Sequence, residues 1–292
     1  MTEEEDFDRQ ILERIQHGYI PDIRNLKRVD YFYNNMWREP RFFEIYFLPK
    51  IKYVLSHIEG INVLEVGCGP GYLSLEIARM GKNVLGIDYS CESIKVAKKY
   101  GEKYPNLKYE CVDYFKFKTR QKFDTIIFFR SLHHMDIDAA IKKTIDLLVD
   151  QGTLIICEPI RAEFTYENAL FALLLRLALQ TNITYKDKIK LLDEHSLVDL
   201  QKNIYEEYKY LGNFKQSDND KNITFDDIYR ILRKNFNIQD FILEDSVIEK
   251  IIGSLRGSYR FEAAEMLKKI DEKLVRENFL KPTSVSLVAK KR

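Results

Sequence analysis

This sequence has no excess of charge of one sign and no long apolar run. Lysine and arginine number 46 against 45 aspartate and glutamate residues, so the net charge is only +1. Binding to a polyanion depends on concentrated positive charge, and this balance therefore argues against a nucleic-acid partner. The most hydrophobic stretch, residues 164–179, is too short to span a bilayer and contains Glu167 and Arg176. The acidic start, MTEEEDFD, has no apolar segment of the kind that a secretory signal needs. These absences predict a soluble, cytoplasmic protein without a membrane span.

Closely spaced cysteines are missing as well, and most of the histidines are isolated. The four cysteines stand far apart, at Cys68, Cys91, Cys111 and Cys157. This spacing predicts neither a zinc knuckle nor a disulfide framework, and a reducing compartment is expected. Three of the histidines are isolated in the chain: His17, His57 and His195. We therefore predict no metal site.

What the sequence does contain, from residue 61 onward, is an alternation of short apolar runs with helix-like segments. The strand candidates are residues 61–66, 83–88, 107–112, 123–130 and 153–158, followed later by 236–244 and 284–289. Such alternation is typical of a parallel sheet with helices on both faces. We predict an α/β, doubly wound, mostly parallel sheet of seven strands.

The segments around this pattern predict how the chain is organised. Residues 1–60 are expected to form an N-terminal helical cap, and residues 61–160 the core that binds the cofactor. Residues 161–222 are expected to form a helical lid after the fifth strand, with helices at 164–180 and 185–210 that offer a surface for a homodimer. Residues 223–292 would then complete the sheet, with a helical insertion before the last strand. Eight aromatic residues between positions 31 and 47 either pack on the sheet or close over the bound molecules.

A glycine-rich segment follows the first predicted strand. Residues 63–71 read VLEVGCGPG, and glycine allows the backbone to approach a ligand where a side chain would collide. The helix that begins near Tyr72 points its free N–H groups toward the same place. Such a loop on its own also fits nucleotide-dependent dehydrogenases.

Three acidic residues at successive strand ends narrow the choice of cofactor. Glu65 is placed to bind a cationic amino group and would repel a pyrophosphate. Asp88 ends the second strand, at the distance from the loop that suits hydrogen bonds to both hydroxyls of a ribose. Asp113 follows the third strand, where a carboxylate can accept a hydrogen bond from the amine of adenine. Together these acids favour S-adenosylmethionine over a dinucleotide.

The pattern E-x-G-C-G-x-G, the two later acids and the segment SLHH resemble class I S-adenosylmethionine-dependent methyltransferases over about residues 60–160. The resemblance implies S-adenosylmethionine as the cofactor and S-adenosylhomocysteine as the product. It implies that the methionine and ribose portions are lined by Glu65, Gly67, Cys68, Gly69 and Gly71. It further implies that Asp88 holds the ribose, that Tyr89 lies against the adenine and that Asp113 and Tyr114 bind its edge. Arg130 and Ser131 are implied to lie near the methionine portion and the sulfonium.

The segment FRSLHHMD, residues 129–136, leaves the fourth strand at the edge where open α/β sheets bind ligands. A neutral imidazole is a suitable base near pH 7, and His133 and His134 are both candidates, with His134 favoured for the pocket. Glu158, at the end of the fifth strand, either orients this base or binds a substrate hydroxyl, or else forms a salt bridge with Arg161.

The run LHHMD is similar to small-molecule O-methyltransferases of natural-product pathways, including some that act on sugars. We therefore predict an enzyme that methylates a hydroxyl of a small molecule with a histidine base. One alternative is an N-methyltransferase that acts on an amine or a protein side chain. Another is a non-catalytic protein that binds S-adenosylmethionine and serves as a partner.

Overall fold

The computed structural model describes residues 3–180, 196–209 and 221–292. Residues 185–195 of the helix predicted at 185–210 lie outside the described residues, and these include His195. In the part of the chain that the structure describes, none of the helices combines the length and the apolar character needed to cross a membrane.

A sheet of seven strands organises the fold, in the order β3-β2-β1-β4-β5-β7-β6. Its strands are β1 Asn62–Val66, β2 Asn83–Asp88, β3 Leu107–Cys111, β4 Phe123–Phe129, β5 Leu148–Pro159, β6 Phe236–Glu244 and β7 Ser284–Lys291. The first five pair in parallel, whereas β7 runs antiparallel to both β5 and β6. This confirms the predicted fold class. The strand order reverses between β1 and β4, and open α/β sheets bind ligands beyond the carboxyl ends of strands at such a point.

Eleven helices surround the sheet within the described residues. Those before β1 are α1 Glu3–Gln16, α2 Pro40–Tyr46 and α3 Leu48–Ser56, and those between the parallel strands are α4 Tyr72–Arg79, α5 Cys91–Gly101 and α6 Ile137–Leu147. Those after β5 are α7 Tyr166–Leu179, α8 Leu197–Lys209, α9 Phe225–Leu232, α10 Ile248–Ile252 and α11 Arg260–Arg276. Three short 3-10 helices span Met36–Arg38, Leu132–His134 and Arg161–Glu163. The predicted domain limits at residues 60, 160 and 222 stay predictions.

The core lies on both faces of the sheet because successive strand residues point in opposite directions. On β4, Ile127 and Phe129 join one apolar cluster, whereas Ile126 and Phe128 join the other. Strands that are buried on both faces read as continuous apolar runs, as β4 does. A third, smaller cluster surrounds Ile11 at the N-terminal end of the chain.

The aromatic residues that precede β1 lie partly in the core and partly at a cavity. Phe42, Phe43 and Tyr46 are at most 1% exposed and pack in the core. Trp37 and Phe47 pack against each other and also line a cavity over the carboxyl ends of β1, β2 and β4. One segment therefore combines packing in the core with the lining of a cavity, and closure over a bound molecule stays a prediction.

Two of the four cysteines are paired, which makes the prediction of no disulfide wrong. Cys91 begins α5, and Cys111 ends β3, where it lies beside Asp88 of β2 in the parallel register. The two Cα atoms are 5.2 Å apart and the residues form a disulfide. Their separation of 20 residues gave no sequence signal, because the parallel pairing of β2 and β3 brings them together.

Candidate active site

The glycine-rich loop joins the carboxyl end of β1 to the start of α4. Gly67 has a φ of 71°, and a Cβ atom there would lie 2.4 Å from the Cβ atom of Ser131. Gly69 has a φ of 51°, and no heavy atom of the described residues lies within 4 Å of where its Cβ would be. The first glycine therefore allows close packing against the loop after β4, and the second leaves its surface open to a ligand.

A cavity of about 320 Å³ lies along this loop and over the carboxyl ends of β1, β2 and β4. Ten of the predicted site residues line it: Gly67, Cys68, Gly69, Asp88, Tyr89, Tyr114, Arg130, Ser131, His133 and His134. Four others do not appear among the described lining residues: Glu65, Gly71, Asp113 and Glu158. The fold thus brings most of the predicted site together in one place.

Asp88 holds the glycine-rich loop and the start of α5 together. Its two carboxylate oxygens accept hydrogen bonds from the backbone N–H groups of Gly69, at 2.7 Å, and Ser90, at 2.8 Å. Burial raises the pKa of this carboxyl above its usual value, although the two N–H donors act in the opposite direction. Its position at the end of β2 is the one that the ribose prediction requires.

The other two strand-end acids have local partners. The Glu65 carboxyl lies behind the loop and accepts a hydrogen bond from the hydroxyl of Ser74, and burial raises its pKa to about 8. Asp113 accepts a hydrogen bond of 2.8 Å from the backbone N–H of Phe115, as is usual in a turn. Their contacts with the amino group and the adenine stay predictions.

Arg130 leaves β4 with a φ of 58° and forms an ion pair of 2.6 Å with Glu249 of α10. Both side chains line the cavity. Burial acts to raise the pKa of Glu249, but the charges of Arg130 and Arg161 lower it to about 2, so the carboxylate is ionised. Sequence reasoning missed Glu249, because a single acid far from any motif carries no recognisable signal.

His133 and Glu158 form a buried pair at the ends of β4 and β5. The imidazole Nδ1 lies 2.6 Å from the Oε2 atom of Glu158. The Oε1 atom accepts hydrogen bonds from the backbone N–H groups of Ser131, at 2.7 Å, and Leu132, at 2.8 Å. These contacts fix the carboxylate, which in turn orients the imidazole. Of the alternatives open for Glu158, the structure therefore places it against the histidine.

The electrostatics of this pair favour a neutral imidazole and an ionised carboxylate. Burial lowers the pKa of His133 below its usual value of 6.5, although Glu158 acts to raise it. Burial acts to raise the pKa of Glu158, but His133 and the two backbone donors lower it below its usual value. A proton on Nδ1 faces the carboxylate in this state, and Nε2 is then the ring nitrogen that can accept a proton.

His134 lies beside His133 and lines the same cavity. Its ring centre is 4.1 Å from that of His133 and meets the ring of Phe7 edge-to-face at 5.5 Å. The geometry therefore favours His133 as the candidate base, whereas sequence reasoning favoured His134.

The first helix contributes residues that sequence reasoning did not assign to the site. Phe7, Gln10, Ile11 and Arg14 of α1 line the cavity. Their spacing of three or four residues is an ordinary amphipathic pattern, which predicts packing as readily as ligand contact. Within the described residues, no group of three or more histidine, cysteine, aspartate or glutamate side chains is placed to hold a metal ion.

Solved structures define the class of fold. Coclaurine N-methyltransferase, bound to N-methylheliamine and S-adenosylhomocysteine, has a TM-score of 0.55 at 13% identity, with 99% of this chain and 94% of that chain covered. Geranyl diphosphate C-methyltransferase from Streptomyces coelicolor A3(2) has a TM-score of 0.53 at 10% identity, covering 92% and 84%. At these identities the likeness shows the fold alone, which is that of S-adenosylmethionine-dependent methyltransferases.

The family follows from the sequence match. The family described as a methyltransferase domain matches residues 57–235, which is more than half of the chain. The chain therefore belongs to this family. Its membership agrees with the predicted class of enzyme, a methyltransferase, and its fold is one that in solved structures holds S-adenosylhomocysteine.

Curated relatives match a shorter part of the chain. A ubiquinone biosynthesis O-methyltransferase of Pelagibacter ubique (strain HTCC1062) is 35% identical over 109 residues, which are 37% of this chain and 45% of the relative. One of Coxiella burnetii (strain Dugway 5J108-111) is 37% identical over 110 residues, 36% and 47% respectively. The chain thus spans less than half the length of these relatives.

Proposed function

We propose that the protein transfers a methyl group from S-adenosylmethionine to a hydroxyl group of a small molecule, with His133 as the base. The observation that carries this proposal is the buried contact of 2.6 Å between His133 Nδ1 and Glu158. A hydroxyl must lose its proton as it attacks, whereas an unprotonated amine attacks without help from a base. A neutral imidazole held by a carboxylate is suited to the first task.

The cavity residues fit the cofactor in the manner that the family resemblance implies. Asp88 would accept hydrogen bonds from the ribose hydroxyls, with Tyr89 and Tyr114 near the adenine. Arg130 and Ser131 would lie near the methionine portion. The surface of the loop at Gly69 is open, as the approach of a ligand to the backbone requires. When bound, S-adenosylmethionine supplies an electrophilic methyl group on its sulfonium.

The residues of the chain then have three tasks. The Nε2 atom of His133 accepts the proton of the acceptor hydroxyl, and the Glu158 carboxylate stabilises the imidazolium that forms. The apolar rings of Phe47, Tyr72 and Phe129 line the cavity and exclude water from the reacting groups. The rigid contacts between the loops after β1 and β4 keep these groups aligned.

The names of the curated relatives support a hydroxyl acceptor, since they are O-methyltransferases of ubiquinone biosynthesis. The finer likeness to enzymes that modify natural products or sugars stays a prediction. The same holds for the absence of a nucleic-acid partner and for the cytoplasmic location. A homodimer through α7 remains a proposal, supported by the exposed apolar side chains of Leu170 and Leu174.

A panel of acceptors tests the function. Phenols, aliphatic alcohols and amines are each incubated with S-adenosylmethionine and the protein, and methylated products are identified by mass spectrometry. We expect methylation of a hydroxyl, and a loss of at least about 100-fold in kcat for His133→Asn. Methylation of an amine with little effect of this substitution would establish the N-methyltransferase alternative. Binding of S-adenosylhomocysteine in calorimetry without methylation of any acceptor would favour the non-catalytic partner, and failure to bind it would contradict the proposed enzyme.

A further inference from the structure

One face of α1 forms a wall of the cofactor cavity. Phe7, Gln10, Ile11 and Arg14 line the cavity, and residues at this spacing lie on the same face of a helix. The Arg14 guanidinium also donates a hydrogen bond of 3.1 Å to the Oε1 atom of Gln10, which orients the two side chains on this face. The cavity is therefore enclosed by a segment that lies 50 residues and more before the glycine-rich loop in the sequence.

The attachment of α1 to the cofactor site runs through Asp8. Its Oδ1 atom accepts hydrogen bonds from the hydroxyl of Ser90, at 2.6 Å, and from the backbone N–H of Glu92, at 3.1 Å. Both donors belong to the start of α5, where a negative charge is favoured by the helix dipole. The backbone N–H of Ser90 also donates to Asp88, at 2.8 Å. Ser90 therefore connects Asp8 of α1 with Asp88 at the end of β2.

The ring of Phe7 contacts two other rings of the cavity wall. It meets Tyr89 edge-to-face at 5.8 Å and His134 at 5.5 Å. Tyr89 directly follows Asp88, so Phe7 covers the part of the wall at which β2 ends. Contacts of this kind between aromatic rings add to the gain from burial.

The apolar attachment of α1 is small, and it meets the core of the sheet at Trp37. Ile11 is buried with Tyr19, Val29 and Phe32 in a cluster distinct from the two that cover the sheet. A helix with few buried contacts opens locally at a lower free energy than the whole protein unfolds. The small size of this cluster is compatible with local opening of α1 while the sheet and the glycine-rich loop stay folded.

We propose that α1 is a lid on the cofactor site, in which Phe7 contacts the adenosine portion of the cofactor and Asp8 is a positioning residue that holds the lid closed through Ser90. The lid opens to admit the cofactor and closes when the carboxylate of Asp8 docks on the start of α5. This inference rests on binding of the cofactor and is independent of the acceptor proposed above.

The test uses S-adenosylhomocysteine and the single tryptophan of the chain. Trp37 lies in the cavity wall, so its fluorescence can report dissociation in a stopped-flow experiment. Asp8→Asn removes the charge that docks on α5, and we expect dissociation to become about fivefold faster. Glu4→Gln is the matched control, because Glu4 is an exposed acid on the same helix, and its dissociation rate is expected to equal that of the unchanged protein. Phe7→Ala is expected to weaken binding by a similar factor.

Hydrogen exchange gives a readout that a purely structural role of Asp8 would not move. In the unchanged protein, S-adenosylhomocysteine is expected to slow the exchange of the backbone amides of residues 7–14. Asp8→Asn is expected to remove most of this slowing while leaving the protection of the sheet intact. The proposal is overturned if the ligand leaves these amides unchanged, or if Asp8→Asn and Phe7→Ala both dissociate at the unchanged rate. Should Asp8→Asn fail to fold, Phe7→Ala and the exchange of the unchanged protein decide the question.

Discussion

Replacement of Glu158 by glutamine tests the role of the buried pair most directly. The side chain keeps its shape but loses its charge and one of its two acceptor atoms. In the unchanged protein, the Glu158 carboxylate accepts from three donors: the backbone N–H groups of Ser131 and Leu132 and the Nδ1 atom of His133. If the amide oxygen takes the two backbone donors, its NH2 group faces Nδ1.

The consequence for His133 is a change of tautomer. A donor opposite Nδ1 requires that nitrogen to accept, so the proton of the neutral ring moves to Nε2. The atom that should accept the proton of the acceptor hydroxyl is then already protonated. Loss of general-base catalysis lowers rates by about 100- to 10,000-fold, and we expect Glu158→Gln to lower kcat within this range.

The pH dependence of kcat/KM adds a second readout. The base is active when deprotonated, so activity falls as the pH drops through the pKa of His133. Burial lowers the pKa of His133 below 6.5, so the fall in activity on the acid side should be centred below pH 6.5. Since Glu158 acts to raise the pKa of His133, its replacement should move the acid limb to a lower pH.

The assay follows product formation with the best hydroxyl acceptor from the panel, and a thermal melt checks that the variant is folded. Glu167→Gln is the control, because Glu167 is an exposed acid at the start of α7. It should leave both kcat and the pH profile unchanged. A folded Glu158→Gln variant that retains more than about a tenth of kcat would refute the assignment of His133 as a base held by Glu158.

Three further outcomes follow from contacts around the cavity. Asp88→Ala should weaken S-adenosylhomocysteine binding by about 50-fold or more in calorimetry, since two charged hydrogen bonds to the ribose would be lost; an unchanged Kd would contradict this. Gly67→Ala should lower the free energy of unfolding in urea by about 2 kcal/mol, because its Cβ would lie 2.4 Å from that of Ser131, and a loss below about 0.5 kcal/mol would count against the close packing. Reduction of the disulfide between Cys91 and Cys111, which lie 20 residues apart, should lower the free energy of unfolding in urea by about 3 kcal/mol. Equal stability with and without a reductant would argue against this bond.

The sequence predicts the sheet well because its strands carry a strong local signal. The end of β2 at Asp88 and the bounds of β6 agree with the structure. The start of β5 does not, since the strand begins at Leu148 rather than at residue 153. Gln151 has a φ of 60° there, so the residues just before 153 form an irregularity within a longer strand.

The candidate site is less predictable than the sheet, because its partners come from distant segments. The glycine-rich loop and Asp88 are recognisable from spacing alone. Glu249, in contrast, is 119 residues away from Arg130 and lies on a helix of five residues, which is too short for a periodic pattern. The choice between His133 and His134 depends on which ring faces Glu158, and adjacent positions in a sequence do not contain that information.

The position of β7 means that the sheet cannot finish folding until the end of this sequence has been synthesised. This strand is the last element in the sequence, yet it lies between β5 and β6 and pairs with both. Until residues 284–291 have left the ribosome, the backbone edge of β5 has no neighbour on that side, although its residues Leu154 and Ile156 are already committed to an apolar cluster. Exposed edges of apolar strands recruit other chains. Premature termination ahead of β7 would therefore yield an aggregating product even though every residue of the proposed catalytic pair had been made.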